Sequence, residues 1–380
     1  MEKCIIKIGI VGIGVMGLNH LRVLTELDGV KVAAICDQNS EMLEKVRKRF
    51  HIDKSFTDAA IMLDQGSLDA LIVSSSTPTH YEIAKLSILR GIPVLVEKPI
   101  ALTVEQGQEL VDLANARNVP LFVGYVERFN PVITQLRTIL NQGLCGAVQH
   151  VNISRVNSFP LRMARCHIGV VTDLSTHDID LLQFITEQTV TSLHAKVRYQ
   201  TTYDVYAQTS FSLTQGISAS CEWSWINPYR RRTVEVVCEE GTLVANLAKQ
   251  SLFFHKRPKM DMDTGEVESN FFKALEFNSV EAEVTKYAFR KEEPLKLELA
   301  DFVNAVREGR RSSCQYAVDI LQIMNAIYES DQENKIVNFL PETAQRLQSS
   351  LAIASPGVTL QAEEFKKETI QEDSAPQSSR

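Results

Sequence analysis

Short apolar runs alternate with amphipathic stretches over the first 124 residues of the chain. Each run is apolar on both faces, which is typical of a strand covered by helices on both sides. The predicted strands are Ile5–Val11, Lys31–Cys36, Ala70–Ser74, Pro93–Val96 and Leu121–Gly124. The predicted helices are Met16–Leu27, Ser40–Phe50 with Ser40 as its candidate cap, Thr79–Arg90 and Val104–Asn118. This β-α alternation predicts a doubly wound parallel sheet.

The pattern changes after Gly124. Segments such as SLHAKVRYQ and RTVEVVC, within a β-rich region from Leu193 to about His255, predict long strands of an open, mostly antiparallel sheet with helices on one face. The accompanying helical patterns are Phe129–Asn141, Asp173–Thr186, Leu295–Arg307 and Ala317–Ser330. We therefore predict a Rossmann domain at 1–125, an α/β domain at 126–335, and a C-terminal extension at 336–380 that ends in a polar, disordered tail.

Composition and charge narrow the class of protein. Of the 380 residues, 44% are hydrophobic and 23% are charged, which is ordinary for a globular chain with sizeable cores. The 40 basic and 47 acidic residues give a net charge of −7. Neutralising a phosphate backbone needs clustered basic residues, so we expect no nucleic-acid partner.

The cysteines and the N-terminus predict the compartment. Seven cysteines, at positions 4, 36, 145, 166, 221, 238 and 314, are scattered and include no C-x-x-C pair, as is typical of reduced thiols in a cytoplasmic protein. The apolar N-terminal stretch is interrupted by Lys7 and lacks a cleavage site, so it predicts a buried strand rather than a signal peptide. No stretch approaches the roughly 18 apolar residues of a membrane span. We expect a cytoplasmic protein without a membrane partner.

The first candidate for chemistry is a G-x-G-x-x-G motif that follows the first predicted strand. In this motif the glycines allow a tight turn, close approach of a pyrophosphate and close helix–strand packing, while the helix N-terminus attracts negative charge. Asp37 lies 20 residues after Gly17, where a carboxylate binds ribose hydroxyls, and Gln38 rather than Arg follows it. These features predict NAD rather than NADP. The motif residues are Gly12, Ile13, Gly14, Val15, Met16 and Gly17.

Two further polar segments lie where predicted strands end, the edge at which ligands bind in such sheets. The first carries Ser75, Thr77 and His80, which are candidates to contact the nicotinamide half, with helix capping as the structural alternative. The second carries Glu97 and Lys98, for which the alternative is a solvated ion pair.

A candidate proton-transfer group lies in the segment TDLSTHDID. On an α-helix, about 100° per residue places Asp173, His177 and Asp180 on one stripe and turns Asp178 away. A carboxylate four residues from an imidazole can orient it as a general base. The alternative is a solvated acidic helix start. No metal site is expected, because these groups lack further ligands at a recognisable spacing.

A basic run at Arg230, Arg231 and Arg232 suggests anion binding. If the substrate carries a diphosphate, one of these arginines could pair with it bidentately. Alternation along a strand would send Arg230 and Arg232 to one face and Arg231 to the other. The alternative is a solvated strand edge that discourages aggregation.

Five motifs, in order over residues 5 to 330, resemble the Gfo/Idh/MocA oxidoreductase family, named for glucose–fructose oxidoreductase and inositol dehydrogenase. Within that family, GYVERFNP and GVVTDLSTHDIDLL are most similar to nucleotide-sugar dehydrogenases, particularly UDP-N-acetylglucosamine 3-dehydrogenases. The five motifs are the glycine motif, Thr77-Pro78-Thr79-His80, Glu97-Lys98-Pro99, Arg128-Phe129-Asn130-Pro131 and Asp173-x-x-x-His177.

The resemblance implies an NAD-dependent enzyme whose second domain binds substrate and pairs copies into a homodimer or homotetramer. It assigns the active-site residues to Lys98, Asp173 and His177 and places Arg128 near cofactor or substrate. It implies oxidation of a secondary hydroxyl of a sugar or nucleotide sugar: His177 accepts the proton, Asp173 orients the imidazole, and Lys98 stabilises the alkoxide. The alternatives are a myo-inositol or other polyol dehydrogenase and a dinucleotide-binding regulator without turnover.

Overall fold

A computed structural model describes residues 5–158, 168–257, 283–311, 313–339 and 367–370 of the chain. Its N-terminal part is a six-stranded sheet in the order β3-β2-β1-β4-β5-β6, in which every neighbouring pair is parallel. This confirms the predicted doubly wound sheet. The strands are β1 (Ile6–Val11), β2 (Val30–Cys36), β3 (Lys54–Phe56), β4 (Ala70–Val73), β5 (Val94–Glu97) and β6 (Leu121–Gly124). The helices are α1 (Val15–Thr25), α2 (Ser40–Phe50), α3 (Ala59–Gln65), α4 (His80–Leu89) and α5 (Val104–Arg117).

Two short elements of this sheet escaped prediction. Strand β3 has three residues and helix α3 has seven, too few for a period to stand out. The start of α3 is fixed by Asp58, whose side chain accepts a hydrogen bond from the Ile61 amide. The expected cap of α2 was also wrong by one residue, since Asn39 rather than Ser40 accepts the Met42 amide.

The second sheet has ten strands in the order β15-β8-β9-β10-β7-β11-β12-β13-β14-β16. Only β7 and β10 pair in parallel, so the predicted open, mostly antiparallel sheet is confirmed. Helices α6 (Pro131–Asn141), α7 (Thr176–Thr186) and α9 (Gln315–Glu333) accompany it, and α9 packs on β8. The strands are β7 (Val148–Ser158), β8 (Val190–Gln200), β9 (Tyr203–Leu213), β10 (Ser218–Ser224), β11 (Ile226–Cys238), β12 (Gly241–Asn246), β13 (Ser251–Lys256), β14 (Val284–Tyr287), β15 (Val337–Asn338) and β16 (Lys367–Ile370).

Helix α8 (Pro294–Glu308) returns the chain to the first sheet. Its buried Leu299 and Phe302 belong to the same apolar core as Ile8 and Ile10 of β1. The ring of Phe302 meets Phe122 edge-on, with centroids 5.5 Å apart.

The division of the chain at residue 125 stays a prediction. Among the described residues, no helix is both long enough and apolar enough to cross a bilayer.

Candidate active site

The turn between β1 and α1 is shaped around glycine. Gly12 has φ of +89°, and a Cβ there would lie 2.4 Å from the Ser75 main chain. A Cβ on Gly17 would lie 1.9 Å from the carbonyl oxygen of Gly12, so strand and helix pack through this residue. Gly14 instead borders open space, with nothing within 4 Å of its would-be Cβ. Among the described residues no side chain caps α1, so its first amides, including those of Val15 and Met16, have no side-chain acceptor there and suit an anion.

Asp37 ties the glycine turn to the end of β2. Its Oδ2 accepts the Ile13 amide at 2.8 Å, and its Oδ1 accepts the Asn39 amide at 2.9 Å. A carboxylate oxygen has a second lone pair, so each can still accept a ribose hydroxyl. An open cradle at Gly14 beside a fixed carboxylate at Asp37 fits an NAD pyrophosphate and ribose. Ile13 takes part through its amide, while its side chain is buried.

The ends of β4 and β5 place the next predicted residues along the same edge. Ser75 follows β4, and its hydroxyl bonds to Thr79 at 2.7 Å, while Thr77 is buried. His80 is only 1% exposed, and its ring nitrogens lie 2.8 Å from the Pro99 oxygen and 3.1 Å from the Ser75 oxygen. Burial lowers the pKa of His80, against the effect of these hydrogen bonds. His80 therefore links the two loops rather than facing the crevice, contrary to expectation.

Glu97 is also turned inward. Its Oε1 lies 2.8 Å from Nε2 of His20, a fully buried ring on α1, and its Oε2 accepts the Lys98 amide at 3.3 Å. Burial would raise the pKa of Glu97, but the hydrogen bond from His20 and the nearby positive charges outweigh it and lower the pKa. The solvated ion pair considered as the alternative is absent, since Glu97 is a buried anchor for the loop that carries Lys98.

Arg128 is buried and bonded to a protein carboxylate. Its guanidinium is 4% exposed and forms hydrogen bonds to both carboxylate oxygens of Asp180 at 2.5–3.0 Å. It also stacks over the ring of Tyr316, 4.0 Å from the centroid. The expectation that Arg128 lies against cofactor or substrate does not match these partners. Asp180 is occupied by this pair and is not part of a proton-transfer stripe.

Lys98 and Asp173 meet across the two domains. The Nζ of Lys98 lies 2.8 Å from the main-chain oxygen of Asp173 and 3.2 Å from its Oδ1. Asp173 lies in a π-helical turn, Val171–Ser175, that precedes α7. Within the described residues Asp173 bonds to Lys98, and no hydrogen bond joins it to His177, so the predicted pairing of Asp173 with the imidazole is not seen.

His177 lies in the first turn of α7, close to this pair. It makes no hydrogen bond within the described residues, and its Nδ1 is buried without a partner. Burial lowers the pKa of His177 well below its ordinary value, helped by the positive charges of Lys98, Arg155 and Arg232. The ring is therefore neutral at pH 7, and with Nδ1 enclosed, Nε2 is the nitrogen left for a substrate hydroxyl.

Asp178 is buried rather than solvated. Its carboxylate accepts hydrogen bonds from Arg155 at 2.7–3.0 Å and from the Trp223 indole at 2.9 Å. Arg155 also bonds to Glu127 at 2.9 Å. The solvated acidic helix start is therefore wrong. These partners and His20 were missed because they lie 23 to 77 positions apart in sequence, where no local pattern signals them.

One edge of the first sheet holds a cradle for a dinucleotide, and a lysine, a carboxylate and a neutral imidazole lie where the second domain meets it. Together they define a protein with a dinucleotide-binding fold and polar side chains beside the candidate cofactor site. The comparison with known families specifies which: residues 6–125 match the Gfo/Idh/MocA description "Oxidoreductase family, NAD-binding Rossmann fold", and residues 133–244 match its C-terminal domain. The chain belongs to the Gfo/Idh/MocA family, and its cofactor is NAD.

Named relatives act on several sugars and polyols. D-apiose dehydrogenase of Paraburkholderia graminis is 29% identical over 47% of this chain and 49% of that protein. Inositol 2-dehydrogenase 2 of Saccharopolyspora erythraea is 29% identical over 50% of this chain and 56% of that protein. The UDP-N-acetylglucosamine 3-dehydrogenase of Acidithiobacillus ferrooxidans is 28% identical over 47% of this chain and 54% of that protein. The chain thus spans about half the length of these curated relatives.

A solved structure under that last name shares the fold. It has a TM-score of 0.73 and 22% sequence identity, and the match covers 86% of this chain and 97% of that one. Identity at this level speaks for the architecture alone.

Proposed function

We propose that this protein is an NAD-dependent dehydrogenase that oxidises a secondary hydroxyl of a sugar or nucleotide sugar, with UDP-N-acetylglucosamine as the leading candidate. The observation that carries the proposal is the pair of Lys98 and Asp173 beside the unpartnered imidazole of His177. A cation and a neutral base at one crevice are the two groups that alcohol oxidation needs from a protein.

The geometry supports a division of labour between these residues. An ammonium group has three hydrogens, and the described residues engage two of those on Lys98, both at Asp173. The third is available to hydrogen-bond the reacting oxygen and stabilise it as it becomes an alkoxide. His177, held neutral, accepts the hydroxyl proton at Nε2. NAD, when bound, supplies the hydride acceptor.

Two other functions fit parts of the molecule. A myo-inositol or other polyol dehydrogenase would use the same three groups and differ only in the substrate pocket, and one relative is named myo-inositol 2-dehydrogenase. A dinucleotide-binding regulator without turnover would need neither a buried base nor a positioned ammonium. The presence of both favours catalysis.

The test is direct. Purified protein is incubated with NAD and a panel of UDP-N-acetylglucosamine, free sugars and inositols, while the absorbance of reduced cofactor and the mass of the product are followed. We expect reduction of NAD with one member of the panel and loss of two mass units from that substrate. Binding of NAD without turnover of any member would overturn the proposal in favour of the regulator.

We also propose a cytoplasmic location and a homo-oligomer. The five cysteines within the described residues are buried and none forms a disulfide bond there, which suits a reducing compartment; they are Cys36, Cys145, Cys221, Cys238 and Cys314. The open ten-stranded sheet offers a broad face for pairing of two copies. Light scattering of the purified protein tests the second point, and a monomer at micromolar concentration would contradict it.

A further inference from the structure

The basic run Arg230–Arg232 lies where the paired part of strand β11 begins. Arg231 and Arg232 pair with β7, but β12 pairs with β11 only from Thr233 onward, and Arg230 and Arg231 are exposed, so the solvated strand edge stays open for Arg230 and Arg231. Arg231 projects to the outer face, where it bonds to Ser154 at 2.9 Å and Glu222 at 2.8 Å. Arg232 projects to the opposite face, toward α7.

Arg232 stands directly across from another cation. Its register partner on β7 is Arg155, so two guanidinium groups share the inner face of neighbouring strands. Arg155 is completely buried, and it takes the close contacts with Asp178 and with Glu127, at 2.7 Å and 2.9 Å. Like charges at directly opposed positions of neighbouring strands repel each other. Packing alone therefore does not explain an arginine at position 232.

The neighbouring carboxylates do not form a hydrogen bond with Arg232. Its nearest carboxylate oxygen is Oε1 of Glu127, 3.7 Å away, which is beyond hydrogen-bond length, and that carboxylate already bonds to Arg155 and Asn130. Within the described residues the Arg232 guanidinium makes no hydrogen bond, while its side chain keeps 32% of its surface exposed. Burial and the charge of Arg155 lower the pKa of Arg232 to about 10, so it remains a cation at pH 7.

This cation lies near the proposed active site, because its register partner Arg155 bonds at 2.7 Å to Asp178, the residue that follows His177. The positive charge of Arg232 also helps to lower the pKa of His177, together with those of Lys98 and Arg155. A guanidinium with unused donors, next to a proton acceptor, is suited to bidentate recognition of an oxyanion.

We propose that Arg232 binds an anionic group of the substrate, a carboxylate or a phosphate oxygen, and so selects charged sugars over neutral polyols. The inference rests on the proposed dehydrogenase function and specifies its substrate class. It separates the nucleotide-sugar assignment from the inositol alternative, because only the former substrate carries an anion.

The experiment compares R232Q and R232K with the matched control R231Q, whose side chain lies on the outer face. Steady-state kinetics are measured with UDP-N-acetylglucosamine, glucose 6-phosphate, glucuronate, glucose and myo-inositol. For any charged substrate that is turned over, we expect R232Q to lower kcat/KM by roughly 10- to 100-fold, mainly through KM, and R232K to lose less. We expect R231Q to match the parent protein.

Other outcomes overturn the inference in recognisable ways. An equal loss in R232Q on charged and neutral substrates would make Arg232 a structural residue, and turnover of neutral polyols alone would remove its role. If no substrate is turned over, the proposed function fails first. Calorimetric titration of UDP into the NAD-loaded protein then tests Arg232 by itself: binding weakened by R232Q and not by R231Q supports the site, and equal binding rejects it.

Discussion

Lys98 of the NAD-binding domain donates hydrogen bonds to both the main-chain oxygen and the carboxylate of Asp173 in the second domain, at 2.8 Å and 3.2 Å. This pair joins the loop after β5 to the π-helical turn before α7. The ammonium is 14% exposed and is therefore both fixed and accessible. This arrangement and its surroundings give single residues roles that can be tested one at a time.

Replacing Lys98 by Met should abolish turnover while leaving NAD bound. The ammonium is the group placed to stabilise the developing alkoxide, and we expect kcat to fall by roughly 10²- to 10⁴-fold. The measurement pairs turnover with NAD titration by fluorescence. The control is K85M, because Lys85 pairs with Glu109 on the outer surface of α4 and α5. Retained turnover in K98M would remove Lys98 from the chemistry.

The pH profile should show an acidic limb set by His177. The neutral ring is the active form, and its pKa lies well below 6.5, because burial and neighbouring cations disfavour the charged form. As pH falls, kcat/KM should therefore stay constant through pH 6.5 and drop only at lower pH. H177N should lose turnover by roughly 10²-fold or more, and H150N, on the outer sheet face, should not. A limb centred at or above pH 6.5 would contradict this assignment.

Replacing Asp37 by Asn should weaken NAD binding. The carboxylate fixes the glycine turn through the Ile13 amide and is placed to accept ribose hydroxyls, so we expect the Kd for NAD to rise by roughly 10-fold. Discrimination against NADP should also fall, because the negative charge that repels a 2′-phosphate is gone. Calorimetry with both dinucleotides measures the two effects. D53N, at an exposed pair with Lys31, is the control and should bind as the parent does.

Glu298 should make the protein less stable as pH rises. This side chain of α8 is 3% exposed, and neither of its carboxyl oxygens has a hydrogen-bond partner in the part of the chain that the structure describes. Burial and the charges of Glu97 and Asp301 raise its pKa well above 4.5. The folded state thus holds a proton that the unfolded chain loses above about pH 4.3. The free energy of unfolding should fall by about 1.4 kcal/mol per pH unit between that value and the raised pKa of the folded state, relative to E298Q.

Urea unfolding of the parent and E298Q between pH 5 and 8 measures this difference. The control is E308Q on the same helix, since Glu308 is exposed and should track the parent at every pH. Parallel curves for the parent and E298Q would show that Glu298 is ionised in the folded protein. E298Q keeps the size of the side chain, so a cavity does not confuse the comparison.

Most strands of the first sheet were predictable from the sequence because they are runs of largely buried residues. Every position of β4 and β5 is buried, and such runs stand out without any partner being known. The glycine turn was predictable for a similar reason, since Gly12 and Gly17 each meet a local steric demand, while Gly14 leaves space open at the turn.

The polar site was less predictable because its pairs are distant in sequence. Lys98 and Asp173 lie 75 positions apart, and Arg128 and Asp180 lie 52 apart, so neither pair leaves a period or motif. The expected Asp173–His177 hydrogen bond is not formed within the described residues, where Asp173 instead accepts from Lys98, a partner from the other domain that the local sequence does not signal. The burial that neutralises His177 and Glu298 is a property of the packed structure alone.

Helix α8 limits how the two halves of this protein can be separated or exchanged. The side chains of Leu299 and Phe302, contributed from nearly 300 residues downstream, cover the same face of β1 as the helices of the dinucleotide half. A fragment truncated after Gly124 would expose that face to water, which would lower the free energy of unfolding by about 1.5–3 kcal/mol for each missing side chain. A chimera that grafts another substrate domain onto this nucleotide-binding half would have to retain Pro294–Glu308 as part of the recipient.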